Sequence, residues 1–117
     1  MPIDNFIAVW LPIVLGIVMI GAGAVNLVGP ESVRDSFARW GYPAGFHRET
    51  GGLEVTAGAL LLIPATSRAG AIGSVAILLA AVMTLIRHRD WAHLPGAVVL
   101  TAVAVAVTIR AAAAAGS

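Results

Sequence analysis

Four apolar runs dominate the chain, and the polar positions gather between them rather than alternating with them. The first run, residues 6–28, supplies the roughly 20 apolar residues that a helix needs to cross a bilayer core. Further runs follow at residues 49–64, 69–86 and 94–110. The pattern predicts an all-α fold, a four-transmembrane-helix antiparallel bundle in one domain over residues 1–117. Between the first two runs, Gly29-Pro30-Glu31 stops one helix and starts another, since proline at a first helical position followed by an acid marks an N-terminus. Residues 31–40 then predict a short amphipathic helix. Val33, Phe37 and Trp40 share one face and Arg34, Asp35 and Arg39 the other, which suits a segment lying in the membrane interface. Pro12 is expected near the start of the first helix, where a missing N–H matters little. Gly16, Gly21 and Gly23 in the first span, and Ala69, Gly70, Gly73 and Ser74 in the third, are small enough to let helices approach closely.

Composition moves this reading from a buried helical core to a membrane. The 117 residues are 59% hydrophobic and 11% charged, against about 25% charged in a soluble domain, and mean hydropathy is +0.93. A soluble fold of this length could not hide so much apolar surface. The chain has no cysteine, which excludes disulfides, thiol catalysis and cysteine metal sites. All 7 basic residues are arginine and the formal net charge is +1, without the concentrated basic face of a nucleic-acid binder. Residues 1–5 lack a positive region and precede a run longer than a secretory h-region, so the first span is expected to persist in the mature protein. Arg34, Arg39, Arg48, Arg87 and Arg89 fall in loops one and three, and Arg68 and Arg110 on the side of the termini. The positive-inside bias then predicts a multi-pass cell-membrane protein with loops one and three cytoplasmic and both termini outside, and Asp4 agrees.

One carboxylate lies inside the apolar pattern. Glu54 sits within the second span, where a charge at a helix centre costs on the order of 2.5–3.5 kcal/mol unless it is paired, hydrogen-bonded or neutralised. Antiparallel connection brings the end of span one, the start of span two and the end of span three to one mouth. Asn26, His47, Arg48, Glu49, Thr84, Arg87 and His88 therefore gather around Glu54. The candidate acid–base residues are Glu54, Asn26, His47, Glu49 and His88. The candidate ligand contacts are Thr50, Gly58, Thr84 and Arg87, with Trp40 and Tyr42, which also fit an aromatic belt with Phe46 and Trp91. A purely structural role stays open, in which Glu54 hydrogen-bonds Asn26 or pairs with an arginine to fix packing. His88 and His93 are five apart and give no i,i+4 zinc face, and His47 joins them near helix ends, so no metal or haem is expected.

Gly41-Tyr42-Pro43, Phe46, Gly52-Leu53-Glu54, Gly58-Ala59, Leu61-Leu62 and Pro64 together resemble the DoxX-like membrane family, with a looser match at Met83-Thr84 and His88. The resemblance runs from about Gly21 to Pro95 and is densest in span two. It implies four spans, and a link to oxidoreduction through the family's namesake, a subunit associated with thiosulfate:quinone oxidoreduction. Many relatives carry a lysine near the end of span one that could pair with the span-two glutamate. Here that place falls on Asn26, so the charge pair would become a neutral hydrogen bond or the carboxylate would need another partner.

Three functions fit. The first is an apolar intrabundle site for a lipophilic, quinone- or isoprenoid-like molecule, with Glu54 as acid, base or anchor and Asn26 orienting the ligand. A quinone is the candidate cofactor, and an enzyme of this kind would be a membrane oxidoreductase subunit or an acid–base catalyst. The second is a proton-coupled transporter of the size of the small multidrug transporters, which carry their essential glutamate in the first span rather than the second. The third is a non-catalytic subunit anchoring a membrane or soluble oxidoreductase partner. The glycine-rich spans are also compatible with a homodimer.

Overall fold

The computed structural model describes residues 2–116, with side chains at 3 and 5–113. The Asp4 side chain, invoked for orientation, lies outside the described residues. Among the described residues there are five α-helices and no strand: α1 (Pro2–Val28), α2 (Glu31–Arg39), α3 (Phe46–Leu62), α4 (Ser67–Arg87) and α5 (Leu94–Gly116). A single 3-10 turn, Pro64–Thr66, joins α3 to α4. Three helical stretches, Asn5–Val28, Pro64–Arg87 and Leu94–Ala113, are long and apolar enough to cross a membrane. Helix α3, with 17 residues and a charged first turn, is shorter. The large apolar side chains that face outward include Val9, Val14, Ile17, Val25, Ile72, Leu79 and Val99. Contiguous exposed apolar surface of this kind belongs against lipid rather than water.

Two helix boundaries differ from the sequence expectation for physical reasons. Helix α1 starts at Pro2, so Pro12 lies in its interior and not at its first turn. A proline there cannot donate to the carbonyl four residues back, that of Ala8, a gap that membrane helices tolerate where neighbouring groups take up the freed carbonyl. Helix α3 starts at Phe46, almost a turn before residue 49, because Gly45 adopts a left-handed φ of 86° and turns the chain into the helix.

Helix α3 meets both α1 and α4 through glycines. Gly16 and Gly23 of α1 face Gly58 and Gly51 of α3, seven residues apart on both helices. A Cβ added at Gly23 would lie 2.6 Å from the Gly51 carbonyl oxygen, and one at Gly58 would lie 2.7 Å from that of Gly16. Seven residues are close to two helical turns, so the two glycine pairs recur on one seam and let the backbones touch. Gly70 of α4 sits as closely on α3, 2.7 Å from the Leu61 nitrogen by the same measure. The helices close a ring, α1 against α3, α3 against α4, α4 against α5 and α5 back to α1. Leu15, Met19, Leu61, Ala71, Leu78, Ala104 and Val107 fill its centre.

Helix α2 packs across one end of this ring. It follows Gly29, whose φ of 65° ends α1 and whose N–H donates to the Val25 carbonyl at 2.9 Å. The His47 imidazole fills the space a side chain at Gly29 would need, and Arg34 Nε donates to the Gly29 carbonyl at 3.0 Å. Gly41, with φ 85°, closes α2 as Tyr42 N–H reaches back to the Phe37 carbonyl at 3.1 Å.

Candidate functional site

Helix α3 presents Phe46, Thr50, Leu53 and Glu54 along one side, spacings of four, three and one that fall on a single helical face. Helix α4 answers with Thr84 and Leu85, then Ala80 and Ala81, then Ile77 and Leu78. The two alanines leave room that larger side chains would have filled. The result is a cavity of about 320 Å³ bounded by these residues, Asn26 of α1, Phe37 and Trp40 at the end of α2, Tyr42, and His93 of the α4–α5 loop. Its rim is aromatic. Phe37 lies 5.3 Å from Trp40 and 5.8 Å from Tyr42 by ring centroids, and Tyr42 stacks on Phe46 at 4.6 Å. Glu54 lies eight residues along α3 from Phe46, so the floor is about 12 Å below the rim.

Hydrogen bonds fix several polar groups of the site. Asn26 Nδ2 donates to Glu54 Oε1, and Glu54 is buried, 8% exposed. Glu54 Oε2 takes no hydrogen bond from the described residues and, unlike Trp40 Nε1 and Ser74 Oγ, is not sealed off without a partner. Thr84 donates to the Ala80 carbonyl at 2.9 Å, so the Tyr42 hydroxyl donates to Thr84 Oγ1, at 2.5 Å. At the rim, Asp90 ties α2 to the α4–α5 loop. Its Oδ2 receives Arg39 at 3.3 Å and its Oδ1 receives the Nδ1–H of His93 at 2.9 Å. The hydrogen bond from His93, with help from Arg39, holds the Asp90 carboxyl below the usual carboxylate range. The buried Trp40 Nε1 lies beside the same carboxylate, short of a strict hydrogen bond.

Of the residues singled out in the sequence, Glu54, Asn26, Thr50, Thr84, Trp40 and Tyr42 meet at this cavity. The others lie elsewhere. His47 is buried about two turns before Glu54 but turns to Gly29 and the edge of Phe37. Gly58 is spent on the α1 contact. Glu49, Arg87 and His88 are exposed, on faces turned away from the cavity. No arginine pairs with Glu54 among the described residues; the hydrogen bond from Asn26 takes that place. Phe37, Phe46, Leu53, Ile77, Leu78, Ala80, Ala81, Leu85 and His93 complete the lining. The i, i+4, i+7, i+8 spacing of Phe46, Thr50, Leu53 and Glu54 carried the signal for two of them. A second, smaller cavity of about 180 Å³ opens at the opposite end, beside Pro12, Ser67 and Arg110. Among the described residues no three His, Asp or Glu side chains converge as metal ligands.

No curated protein and no solved structure matches the chain. A family comparison does: the DoxX-like family matches residues 10–107, a range that holds α3 with Glu54, the Gly41-Tyr42-Pro43 turn and the cavity between α3 and α4. With that match over most of its length, this membrane-embedded helical chain belongs to the DoxX-like family.

Proposed function

We propose that the chain is a four-span membrane protein that binds a lipophilic small molecule between α3 and α4. Glu54 anchors the ligand at the cavity floor and Asn26 holds the carboxyl group in place. The observation that carries this reading is a buried carboxylate, engaged on one oxygen only, at the base of an otherwise apolar cavity. Ionisable groups placed inside membrane helices are functional candidates, because their burial opposes folding unless it is used. The ligand enters from the bilayer side: Leu53 is 60% exposed and Ala80 is exposed, so one wall faces lipid. Glu54 is also the ionisable group on the floor, and so the one placed to exchange a proton with a bound molecule. In this reading α3 is the second span, α2 lies in the interface as a cover over the mouth, and the arginine-rich loops face the cytoplasm.

The test is retention of lipophilic molecules through purification in mild detergent, read by mass spectrometry. Ala81→Phe fills the middle of the cavity and is expected to lower retention at least tenfold relative to wild type. Equal retention by a folded Ala81→Phe variant refutes the binding site.

A further inference from the structure

The cavity floor carries a buried carboxylate with one oxygen unpaired among the described residues and no lysine or arginine in the lining, and this selects the chemistry of what binds there. Asn26 gives one of its two amide N–H groups to Glu54 Oε1. Its Oδ1 and Glu54 Oε2 both remain acceptors, and a carboxylate accepts only. Tyr42 and Thr84 have already committed their hydroxyl protons, to Thr84 and to the Ala80 carbonyl respectively, which leaves the Thr50 hydroxyl, one turn from Glu54, as the uncommitted one of the lining. A quinone carbonyl, itself an acceptor, would find no complementary donor at Glu54 while that group is ionised. No lysine or arginine lines the cavity, so an anionic head would meet the carboxylate without a counter-charge.

We propose that the ligand is a lipophilic amine, bound as its ammonium ion with the nitrogen at Glu54 Oε2 and Asn26 Oδ1. The proposal rests on the binding site argued above and names the ligand class for it. An ammonium group brings several N–H donors to two open acceptors and a positive charge to a lining without lysine or arginine, and a buried carboxylate is stabilised when paired and hydrogen-bonded. The rest of the molecule is apolar by the same logic. Leu53 and Ile77 flank the floor, Ala80 and Ala81 leave a corridor at mid-depth, and the wall at Leu53 opens to lipid, where an alkyl tail can leave the protein. The aromatic rim favours the same charge sign on the way in, because the faces of Trp40, Tyr42, Phe37 and Phe46 attract cations.

The experiment uses the full chain in phosphatidylcholine nanodiscs, with Trp10→Phe and Trp91→Phe leaving Trp40 as the only indole, at the cavity rim. Dodecylamine, dodecanol and dodecanoate are compared at equal membrane mole fractions near neutral pH, so that partitioning does not enter. The amine is expected to saturate the Trp40 emission change at a mole fraction at least tenfold below that for the alcohol, with no saturation by the carboxylate. Glu54→Gln is expected to erase the difference between amine and alcohol. Equal response to amine and alcohol in the otherwise native chain, or a preference for dodecanoate, overturns the amine assignment while leaving the cavity as a lipophile site. An amine preference that survives unchanged in a folded Glu54→Gln variant also overturns it. No saturable response to any of the three, or one unaffected by Ala81→Phe, overturns the site itself. The amine–alcohol comparison needs no variant at the floor, so it stands even where Glu54→Gln fails to fold.

Discussion

Asn26 is the hinge of the site at the scale of single residues, because it alone among the described residues donates to Glu54. Truncating it strands Glu54 Oε1 without its donor, and a buried acceptor left unsatisfied costs about 1–3 kcal/mol. Asn26→Ala is therefore expected to lower thermal stability in detergent by an amount of that order, and an unchanged melting temperature would show that the bond carries no weight. Asn26→Lys acts in the opposite sense. It places a tethered ammonium where a free one is proposed to bind, so it is expected to preserve the fold and abolish the dodecylamine response. Asp90 gives a prediction in pH. Its carboxyl is held low by the hydrogen bond from His93 and by Arg39. A carboxyl group with a depressed folded-state value contributes stability that is present above its unfolded value of about 3.9 and disappears as pH falls through the lower folded value. Release of α2 from the α4–α5 loop, followed by Trp40 emission, is thus expected below about pH 4, and Asp90→Asn is expected to remove that transition.

Helix α3 is the element on which the others are assembled, and its glycines make the prediction sharp. Gly23, Gly51, Gly16 and Gly58 bring the α1 and α3 backbones into contact, whereas a Cβ at Gly52, the neighbour of Gly51, meets nothing within 4 Å. Gly58→Ala forces the helices apart and is expected to destabilise by about 1–3 kcal/mol, the usual range for overpacking. Gly52→Ala sits in a helix interior with open space and is expected to stabilise by roughly 0.5–1 kcal/mol. Melting temperatures that move in the same direction for both variants would contradict the glycine seam. The same helix shows what the sequence could and could not convey. The break at Gly29-Pro30, the helix Glu31–Arg39 and the apolar lengths of α1, α4 and α5 follow from local chemistry and were legible. The early start at Phe46 was not, because it depends on the left-handed φ of Gly45 and no residue type announces that value. Glu54, Asn26 and Thr84 could be gathered to one mouth from antiparallel connection alone, although the same argument also brought in His47, Glu49, Arg87 and His88, which turn elsewhere. Gly58 shares a nominal face with Glu54 at i+4, yet α3 is buried on two sides and the sequence does not say which neighbour each small residue serves. Ala80 and Ala81 were invisible for a related reason: they shape the cavity by lacking side chains, and a missing side chain stands out only once its neighbours are placed.

The whole molecule measures 45 × 24 × 20 Å, and its long dimension matches a bilayer of about 40–45 Å including headgroups. Its two ends differ in kind. One gathers Asn26, Glu54, Tyr42 and Thr84 under α2, and the other gathers Ser67, Arg110 and the Pro12 turn. Whether α3 connects those ends across the membrane decides the topology. Its 17 residues extend about 26 Å at the helical rise, and the 3-10 turn Pro64–Thr66 adds about 6 Å, which together reach the roughly 30 Å of a hydrocarbon core. The charged first turn of α3 lies at the same end as Arg39 and Asp90, where headgroups can solvate it. Crossing by α3 therefore requires residues 31–39 and the α4–α5 loop to share one side, and the α3–α4 turn to occupy the other. The absence of cysteine makes this directly measurable, because an introduced thiol is the chain's only one. Ser32→Cys, Ala65→Cys and Ala92→Cys are all at exposed positions. A membrane-impermeant maleimide added to intact cells is expected to label Ala65→Cys alone, with Ser32→Cys and Ala92→Cys reacting only after permeabilisation. The reverse pattern would keep four spans and invert the orientation argued from the arginines. Labelling of all three from one side would remove α3 as a span and leave its carboxylate on a re-entrant helix, with the cavity open to the aqueous face instead of to lipid.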